Sequence, residues 1–294
     1  MTSPSHRPDR AFVCLSHSPF MTLPDRSDTG YEYRAAVEEA KKFIGDFGPD
    51  VVVLLAPDHM NLLNRVRPPF TGIISGETLP EFGIPRLELN VHPVAKDLFQ
   101  DLVTRDVDLA VGEGVDVDHG LGLTLTQLFD DPGLVPLVPV VVNAIGFPLF
   151  PVARARRVGE HIGGALRAYD GKVMFVGTGG LSHNPPFPEP APGARRFTPE
   201  ERAQSLSGAL DYVDPAWDRA LLAGMADGDA GCFSRLTQAD IDARGGGANE
   251  VRTWAAAWAA AGSPAATFTS YEVVEPWITG MGVAFGTHAR SPRG

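Results

Sequence analysis

Residues 51–61 read VVVLLAPDHMN, and this stretch decides the fold class that we predict. Five consecutive apolar and mostly β-branched residues are typical of a strand that is buried on both faces of a sheet. Comparable runs occur at residues 11–15, 137–142 and 173–176, and a shorter one at 108–111. Strands of this kind belong to α/β proteins with a mostly parallel sheet.

Helical patterns separate these strands. Five segments have the spacing of apolar residues that is typical of helices: 33–47, 93–104, 152–169, 216–226 and 249–261. The alternation predicts a single α/β domain with a mostly parallel central sheet flanked by helices and with a C-terminal helical portion. In such sheets ligands bind at the carboxyl ends of the strands, and we expect the active site there.

The domain is expected to span residues 11–287. We expect residues 1–10 and 288–294 to be disordered termini. The proline-rich stretch at 184–199 is interpreted as an ordered loop or lid, because a further helical region follows it.

Composition excludes several classes of function. With a net charge of −11 the chain is a poor match for nucleic acid or for an anionic membrane surface. It has no apolar run near the roughly 20 residues that a membrane helix needs. Two cysteines far apart form no disulfide framework, which favours a reducing, cytoplasmic setting.

Four of the eight histidines, His17, His59, His119 and His183, each lie shortly after a different predicted strand. The carboxyl ends of parallel strands meet at one edge of a sheet, so these imidazoles can converge although they are far apart in sequence. A single histidine in such a position is more often structural. Four in the same context favour a shared site.

Two imidazoles and one carboxylate form the ligand set of many non-haem Fe(II) oxygenases. His17 and His59 can supply the imidazoles, and Glu250 is the best candidate for the carboxylate. It follows glycines at 245–247, which allow close backbone approach, and a helix N-terminus keeps a carboxylate ionised. A glutamate in a first helical turn is also common for capping, so the pattern alone leaves both roles open.

Eight segments carry a resemblance to a known family. They are LSHSPF (15–20), VVVLLAPDHMN (51–61), DLAV (108–111), VDHG (117–120), VGTGGLSHNPP (176–186), DPAWD (214–218), NEVRTWAAAWAA (249–260) and EPWITGMG (275–282). In this order they resemble the class III, or LigB-type, extradiol dioxygenases. Within that superfamily the chain is most similar to the 3-(2,3-dihydroxyphenyl)propionate 1,2-dioxygenases.

The resemblance implies extradiol cleavage of a catechol-type ring with O2, which gives a 2-hydroxy-6-oxo-dienoate. It implies Fe(II) as the cofactor, with His17, His59 and Glu250 as its ligands. It also implies a homo-oligomer.

The same resemblance implies that His119 and His183 form the acid–base pair, without distinguishing base from acid. Asp118 is implied as the partner that orients His119. The sequence is equally consistent with Asp118 as an ordinary turn residue before glycine.

Two departures from the family affect the site. Asn249 precedes the expected carboxylate ligand where relatives carry histidine, which we expect to leave that ligand intact. Residues 184–214 look shorter and richer in proline than in relatives, so the ring substituent stays open. Arg195, Arg196 and Arg252 are possible partners for a substrate carboxylate, although we favour solvated surface charge for each.

Two other functions use the same residues. A zinc-dependent hydrolase could use two histidines and a glutamate, but the sequence lacks the H-E-x-x-H pattern. A non-catalytic LigB-like binding protein would keep the fold without the chemistry. Retention of all the site side chains argues against the second alternative.

Overall fold

The computed structural model describes residues 9–22, 28–185, 206 and 208–288. The strands are β1 (Arg10–Leu15), β2 (Val51–Pro57), β3 (Phe70–Ile73), β4 (Gly76–Thr78), β5 (Leu109–Gly112), β6 (Val115–Val117), β7 (Leu137–Val142), β8 (Val173–Thr178), β9 (Phe268–Val274) and β10 (Thr279–Thr287). The α-helices are α1 (Tyr31–Phe47), α2 (Val94–Thr104), α3 (His119–Leu128), α4 (Val152–Ala165), α5 (Pro215–Ala226), α6 (Gly231–Ser234), α7 (Gln238–Asp242) and α8 (Val251–Ala260).

Eight of the strands form one sheet in the order β5-β3-β7-β2-β8-β1-β10-β9. The four central strands, β7, β2, β8 and β1, are mutually parallel. On one side β3 and β5 run antiparallel to this centre, because β3 pairs with β7 in the antiparallel sense and with β5 in the parallel sense. On the other side β10 is antiparallel to β1, and the edge strand β9 is antiparallel to β10. The predicted α/β fold with a mostly parallel central sheet is confirmed, and β4 and β6 form a separate two-stranded sheet.

The central strands are buried on both faces because their side chains alternate between two cores. In β1, Phe12 and Cys14 face the core that contains α4 and α8, whereas Val13 and Leu15 face the core that contains α1. A strand with an apolar residue at every position is therefore stable only inside the sheet. This explains why the continuous apolar runs predicted these strands well.

The C-terminal part of the chain supplies strands as well as helices. Helices α5 to α8 are followed by β9 and β10, which the sequence pattern did not identify. Strand β9 lies at the sheet edge and is half-exposed, so it lacks a continuous apolar run. Within the described residues, none of the helices has the length and apolar character required to cross a membrane.

The ordered sheet extends slightly beyond the domain bounds that we predicted. Arg10 begins β1, and its carbonyl accepts a hydrogen bond from the backbone N–H of His288. The outer parts of the predicted termini, 1–8 and 289–294, lie outside the described residues. Most of the predicted loop at 184–199 also lies outside them, as do Arg195 and Arg196.

Helix α8 is buried along its whole length between the sheet and α4. It approaches α4 closely because glycines face its backbone. A Cβ atom at Gly159 would lie 2.1 Å from the carbonyl oxygen of Ala256, and one at Gly163 would lie 2.1 Å from that of Ala260. This contact fixes the position at which α8 begins, and Glu250 directly precedes α8.

The substitution Gly159→Ala is expected to lower the free energy of unfolding by about 1–3 kcal/mol, because the added methyl group must push α4 away from α8. The matched control is Gly164→Ala in the same helix, where an added Cβ meets no heavy atom within 4 Å. The control should be about 0.5–1 kcal/mol more stable than the wild type, since alanine favours a helix over glycine. Urea unfolding measures both, and equal stabilities would contradict the close helix contact.

Candidate metal centre

Two of the predicted site residues, His17 and His59, lie just beyond the carboxyl ends of two parallel strands. His17 follows β1 and His59 follows β2, and strand β8 lies between these two strands. The centroids of the two imidazole rings are 5.4 Å apart and the rings meet edge to face. The side chains therefore converge at the edge of the sheet where the sequence predicted a site.

His119 reaches the same place by a route that differs from the prediction. The strand expected before it, β5, is parallel to β3, and β3 is antiparallel to the central strands. The carboxyl end of β5 therefore points away from the site. The chain returns through β6 of the small sheet, and His119 is the first residue of α3. Its ring stacks on that of His59 at a centroid distance of 4.0 Å.

Glu250 lies at the junction between a short 3-10 turn, Gly246–Glu250, and helix α8. Its Oε1 atom is 3.2 Å from Nε2 of His59, and its Oε2 atom accepts a hydrogen bond of 2.6 Å from the backbone N–H of Gly180. The carboxylate is almost completely buried. The predicted carboxylate candidate and one predicted histidine candidate are thus in direct contact.

The donor atoms present here fit a metal ion. One ligand atom from each of His17, His59 and His119 lies within 4.8 Å of the others. Nε2 of His17 is buried and has no hydrogen-bond partner. Two ligand atoms bound to one ion at right angles are about 3 Å apart, which the contact between His59 and Glu250 matches. Imidazole nitrogens with a carboxylate oxygen suit Fe(II), and they also suit zinc.

Burial and charge set the protonation of these groups in the metal-free protein. Burial lowers the pKa of His17 to about 3, so its imidazole is neutral at neutral pH. Burial also opposes a charge on His59, but Asp118 and Glu250 outweigh it and raise the pKa of His59 well above its usual range. Although burial alone would raise the pKa of Glu250, contact with His59 helps to lower it to about 2.

The carboxylate that contacts His119 is not the one that the family resemblance implied. Asp118 was expected to orient His119, but its carboxylate lies 3.4 Å from Nδ1 of His59 and accepts the backbone N–H of His59. Asp118 also caps helix α3 by accepting the N–H of Gly120. Glu81 takes the expected place, because its Oε1 atom lies 3.1 Å from Nδ1 of His119 and 2.7 Å from its backbone nitrogen.

Glu81 was missed because it lies in a loop and is separated from His119 by 38 positions. No helical or strand spacing relates two such residues. The neighbouring Phe82 adopts a left-handed backbone conformation and packs edge to face on the His119 ring at 5.0 Å. The loop therefore holds the outer face of that imidazole.

His183 lies near Glu250, because its ring packs against Gly180, whose backbone N–H binds the Glu250 carboxylate. Its Nδ1 atom is 3.1 Å from the carbonyl oxygen of Leu181, and its own carbonyl accepts the N–H of Gly247. A Cβ atom at Gly180 or Gly247 would lie within 2.3 Å of the ring, so only glycine fits at these two positions. The glycine-rich segments of the sequence thus make room for this side chain.

Asn249 and Arg252 form a buried network behind the site. The side-chain oxygen of Asn249 accepts hydrogen bonds from Arg252, at 2.7 Å, and from Gln238, at 2.9 Å. Asn249 therefore has its partners in this network, and Glu250 keeps its contacts with His59 and Gly180. The interpretation of Arg252 as solvated surface charge is wrong: its guanidinium is fully buried and also donates to the carbonyl of Phe150.

Comparison with known proteins agrees with this geometry. Residues 11–286 match the family model described as the catalytic LigB subunit of aromatic ring-opening dioxygenase. The chain belongs to this LigB family, and the resemblance inferred from the sequence motifs is confirmed. Its enzyme class is that of the extradiol catechol dioxygenases, which disfavours both the hydrolase and the non-catalytic alternative.

Curated relatives extend the match over nearly the whole chain. The chain is 34% identical to a 2,3-dihydroxyphenylpropionate/2,3-dihydroxicinnamic acid 1,2-dioxygenase of Rhodococcus sp, over 93% of this chain and 96% of that protein. It is 35% identical to a protein of the same description from Mycolicibacterium paratuberculosis, over 93% of this chain and 97% of that protein. The crystal structure of an uncharacterized Escherichia coli K12 protein aligns with a TM-score of 0.48 at 17% identity, covering 95% of this chain and 99% of that one.

Proposed function

We propose that this dioxygenase binds Fe(II) through His17, His59 and Glu250. We further propose that its substrate is a catechol with an acidic side chain, of the 2,3-dihydroxyphenylpropionate class. The observation that carries the metal proposal is the buried, unpartnered Nε2 of His17 beside the contact of His59 with Glu250. The names of the curated relatives support the substrate class. The product would be a 2-hydroxy-6-oxo-dienoate that contains both atoms of O2.

When bound, Fe(II) supplies open coordination positions at which a catechol and O2 can meet, and it lowers the pKa of a bound hydroxyl group. The protein must then move protons. His119 adjoins His17 and His59, and His183 lies near Glu250. Each of the two has its Nδ1 occupied by an acceptor. Nε2 of each is therefore the atom that can accept a proton from a ring hydroxyl or donate one to a leaving oxygen.

Most of the imidazoles of the site are shielded from solvent. His17, His119 and His183 are all buried, and Phe82 covers the edge of the His119 ring. Burial of these three imidazoles strengthens their electrostatic interactions with a charged catecholate.

We also propose that the enzyme is a cytoplasmic homo-oligomer whose catalytic domain spans residues 11–287. Both cysteines are free, Cys14 being buried and Cys232 half-buried, which fits a reducing setting. Light scattering on the purified protein measures the assembly, and a monomer at working concentration would contradict it.

The function is tested by anaerobic reconstitution with Fe(II), followed by air and a panel of catechols. We expect O2 uptake and a yellow product with 3-(2,3-dihydroxyphenyl)propionate, and a lower kcat/KM with unsubstituted catechol. Reconstitution with Zn(II) serves as the control and should consume no O2. Oxygen uptake that is equal for all catechols would contradict the proposed substrate class, and none at all would contradict the function.

The ligand set is tested by metal analysis of alanine variants. His59→Ala and Glu250→Ala should each lose most of the bound Fe(II), because each removes a proposed ligand. His119→Ala should retain Fe(II) but lose about 10²–10⁴-fold in turnover, the range that general acid–base catalysis contributes. Loss of Fe(II) from His119→Ala would instead indicate a three-histidine site, since His119 is as close to the other two histidines as a ligand would be.

The role of Glu81 is tested by Glu81→Gln. The substitution keeps the size of the side chain but removes the carboxylate that orients His119, and we expect kcat to fall about 10–100-fold with Fe(II) affinity unchanged. Glu77→Gln is the matched control, since Glu77 pairs with exposed Arg86. An unchanged kcat in Glu81→Gln would show that the contact with His119 has no part in catalysis.

A further inference from the structure

His17 differs from the other three site histidines in the group that its Nδ1 atom contacts. In the other three, Nδ1 faces a carboxylate or a backbone carbonyl, and such groups only accept hydrogen bonds. In His119 and His183 this contact places the ring proton on Nδ1 and leaves the lone pair on Nε2, whereas His59 has a carboxylate at each of its ring nitrogens. Nδ1 of His17 instead lies 2.9 Å from the hydroxyl oxygen of Thr178, which can accept or donate.

The hydroxyl of Thr178 is itself part of a longer chain of contacts. It lies 2.6 Å from the hydroxyl oxygen of Thr124, which lies 3.1 Å from the carbonyl oxygen of Gly120. Both threonines are completely buried, so water cannot supply other partners. The state of His17 is therefore set by the direction in which the hydrogen bonds of this chain run.

Two directions are possible, because each hydroxyl holds one proton. If the chain runs from His17 to Gly120, every proton meets an acceptor, and Nε2 keeps a lone pair. If it runs the other way, Thr178 donates to Nδ1 and the ring proton moves to Nε2. Nε2 is buried without a partner, so that proton would be an orphaned N–H group, which is costly.

We propose that Thr178 and Thr124 are positioning residues that fix the tautomer of His17. Thr124 donates to the carbonyl of Gly120, which obliges its oxygen to accept from Thr178. Thr178 in turn accepts from Nδ1 of His17, and the lone pair of Nε2 is directed into the site. The proposal rests on the proposed role of His17 as a metal ligand, and it adds two residues that do not touch the metal.

The location of the two threonines links parts of the site that are distant in sequence. Thr178 ends β8 and pairs with Leu15 at the end of β1, two residues before His17. Thr124 is on α3, the helix that begins with His119. The chain of hydroxyls thus ties the proposed ligand His17 to the helix that positions the acid–base candidate His119.

The proposal is tested first by the affinity for Fe(II), measured by anaerobic titration against a competing chelator. Thr178→Val should weaken binding about 10–100-fold, the usual cost of losing a group that orients a metal ligand. Thr124→Val should weaken it comparably although Thr124 does not touch His17, because Thr178 can then donate to Nδ1. Thr178→Ser and Thr124→Ser keep the hydroxyls and should bind as the wild type does.

The chain also offers a matched control for these valine substitutions. Thr71 in β3 is buried, and its hydroxyl has no hydrogen-bond partner. Thr71→Val should leave Fe(II) affinity unchanged. Urea unfolding of all the variants separates a loss of affinity from a loss of fold.

The tautomer itself is read by ¹⁵N NMR of the metal-free full chain with labelled histidine, assigned by His17→Gln. In the wild type the Nε2 signal of His17 should be that of an unprotonated nitrogen, and in Thr124→Val it should shift toward that of a protonated one. Unchanged spectra and affinity in Thr124→Val would overturn the proposal. Failure of the wild type to bind Fe(II) would instead overturn the metal role of His17, while the NMR measurement would still decide the tautomer.

Discussion

The contact between the imidazole of His59 and the buried carboxylate of Glu250 is the constraint on which the rest of the site depends. An isolated carboxylate at this depth would cost several kcal/mol in lost solvation. The imidazole and the N–H of Gly180 offset that cost, and in doing so they bring together the end of β2, the turn after β8 and the start of α8. The glycines of α4 make the same geometry possible from the other side, because they let α8 approach closely enough to place Glu250 at the sheet edge.

In the metal-free protein this contact is held by a proton. The carboxylate of Asp118 faces Nδ1 of His59, and that of Glu250 faces Nε2. Together the two carboxylates raise the pKa of His59, so that His59 is a cation between two anions. A divalent cation at the proposed site would take the place of that proton and release it, so metal binding is coupled to pH. The second proposed histidine ligand needs no such exchange, because burial keeps His17 neutral. The two proposed histidine ligands therefore differ in charge in the metal-free protein: His59 is a cation and His17 is neutral.

The central part of the fold was predictable, because strands buried on both faces must be apolar at every position, and such runs stand out in a sequence. Strand β9 is half-exposed and gave no such signal. At the site, the convergence of strand ends and the family motifs predicted that His17, His59 and Glu250 would lie together. The structure brings His59 close to both of the others. The roles of Asp118 and Glu81 could not be predicted, since they depend on which carboxylate reaches which imidazole across loops. The burial of Arg252 was misjudged for a related reason. Its partners include the carbonyl of Phe150 and the side chain of Gln238, which are uncharged and distant in sequence, so no pattern of opposite charges marks them.

The proposed metal ligands and the proposed acid–base residues are held by different parts of the fold. The proposed metal ligands rest on β1, β2 and α8, which belong to the buried centre of the domain, and any change there disturbs the core. His119 and Glu81 come from the small sheet, α3 and a nearby loop, while His183 follows β8 in a turn that bridges to β10. These outer segments can change without loss of the sheet. Variation in these segments would leave the proposed metal ligands in place, and the described part of residues 184–214 begins beside His183. We therefore expect the outer segments, rather than the proposed metal ligands, to recognise the substituent on the catechol ring.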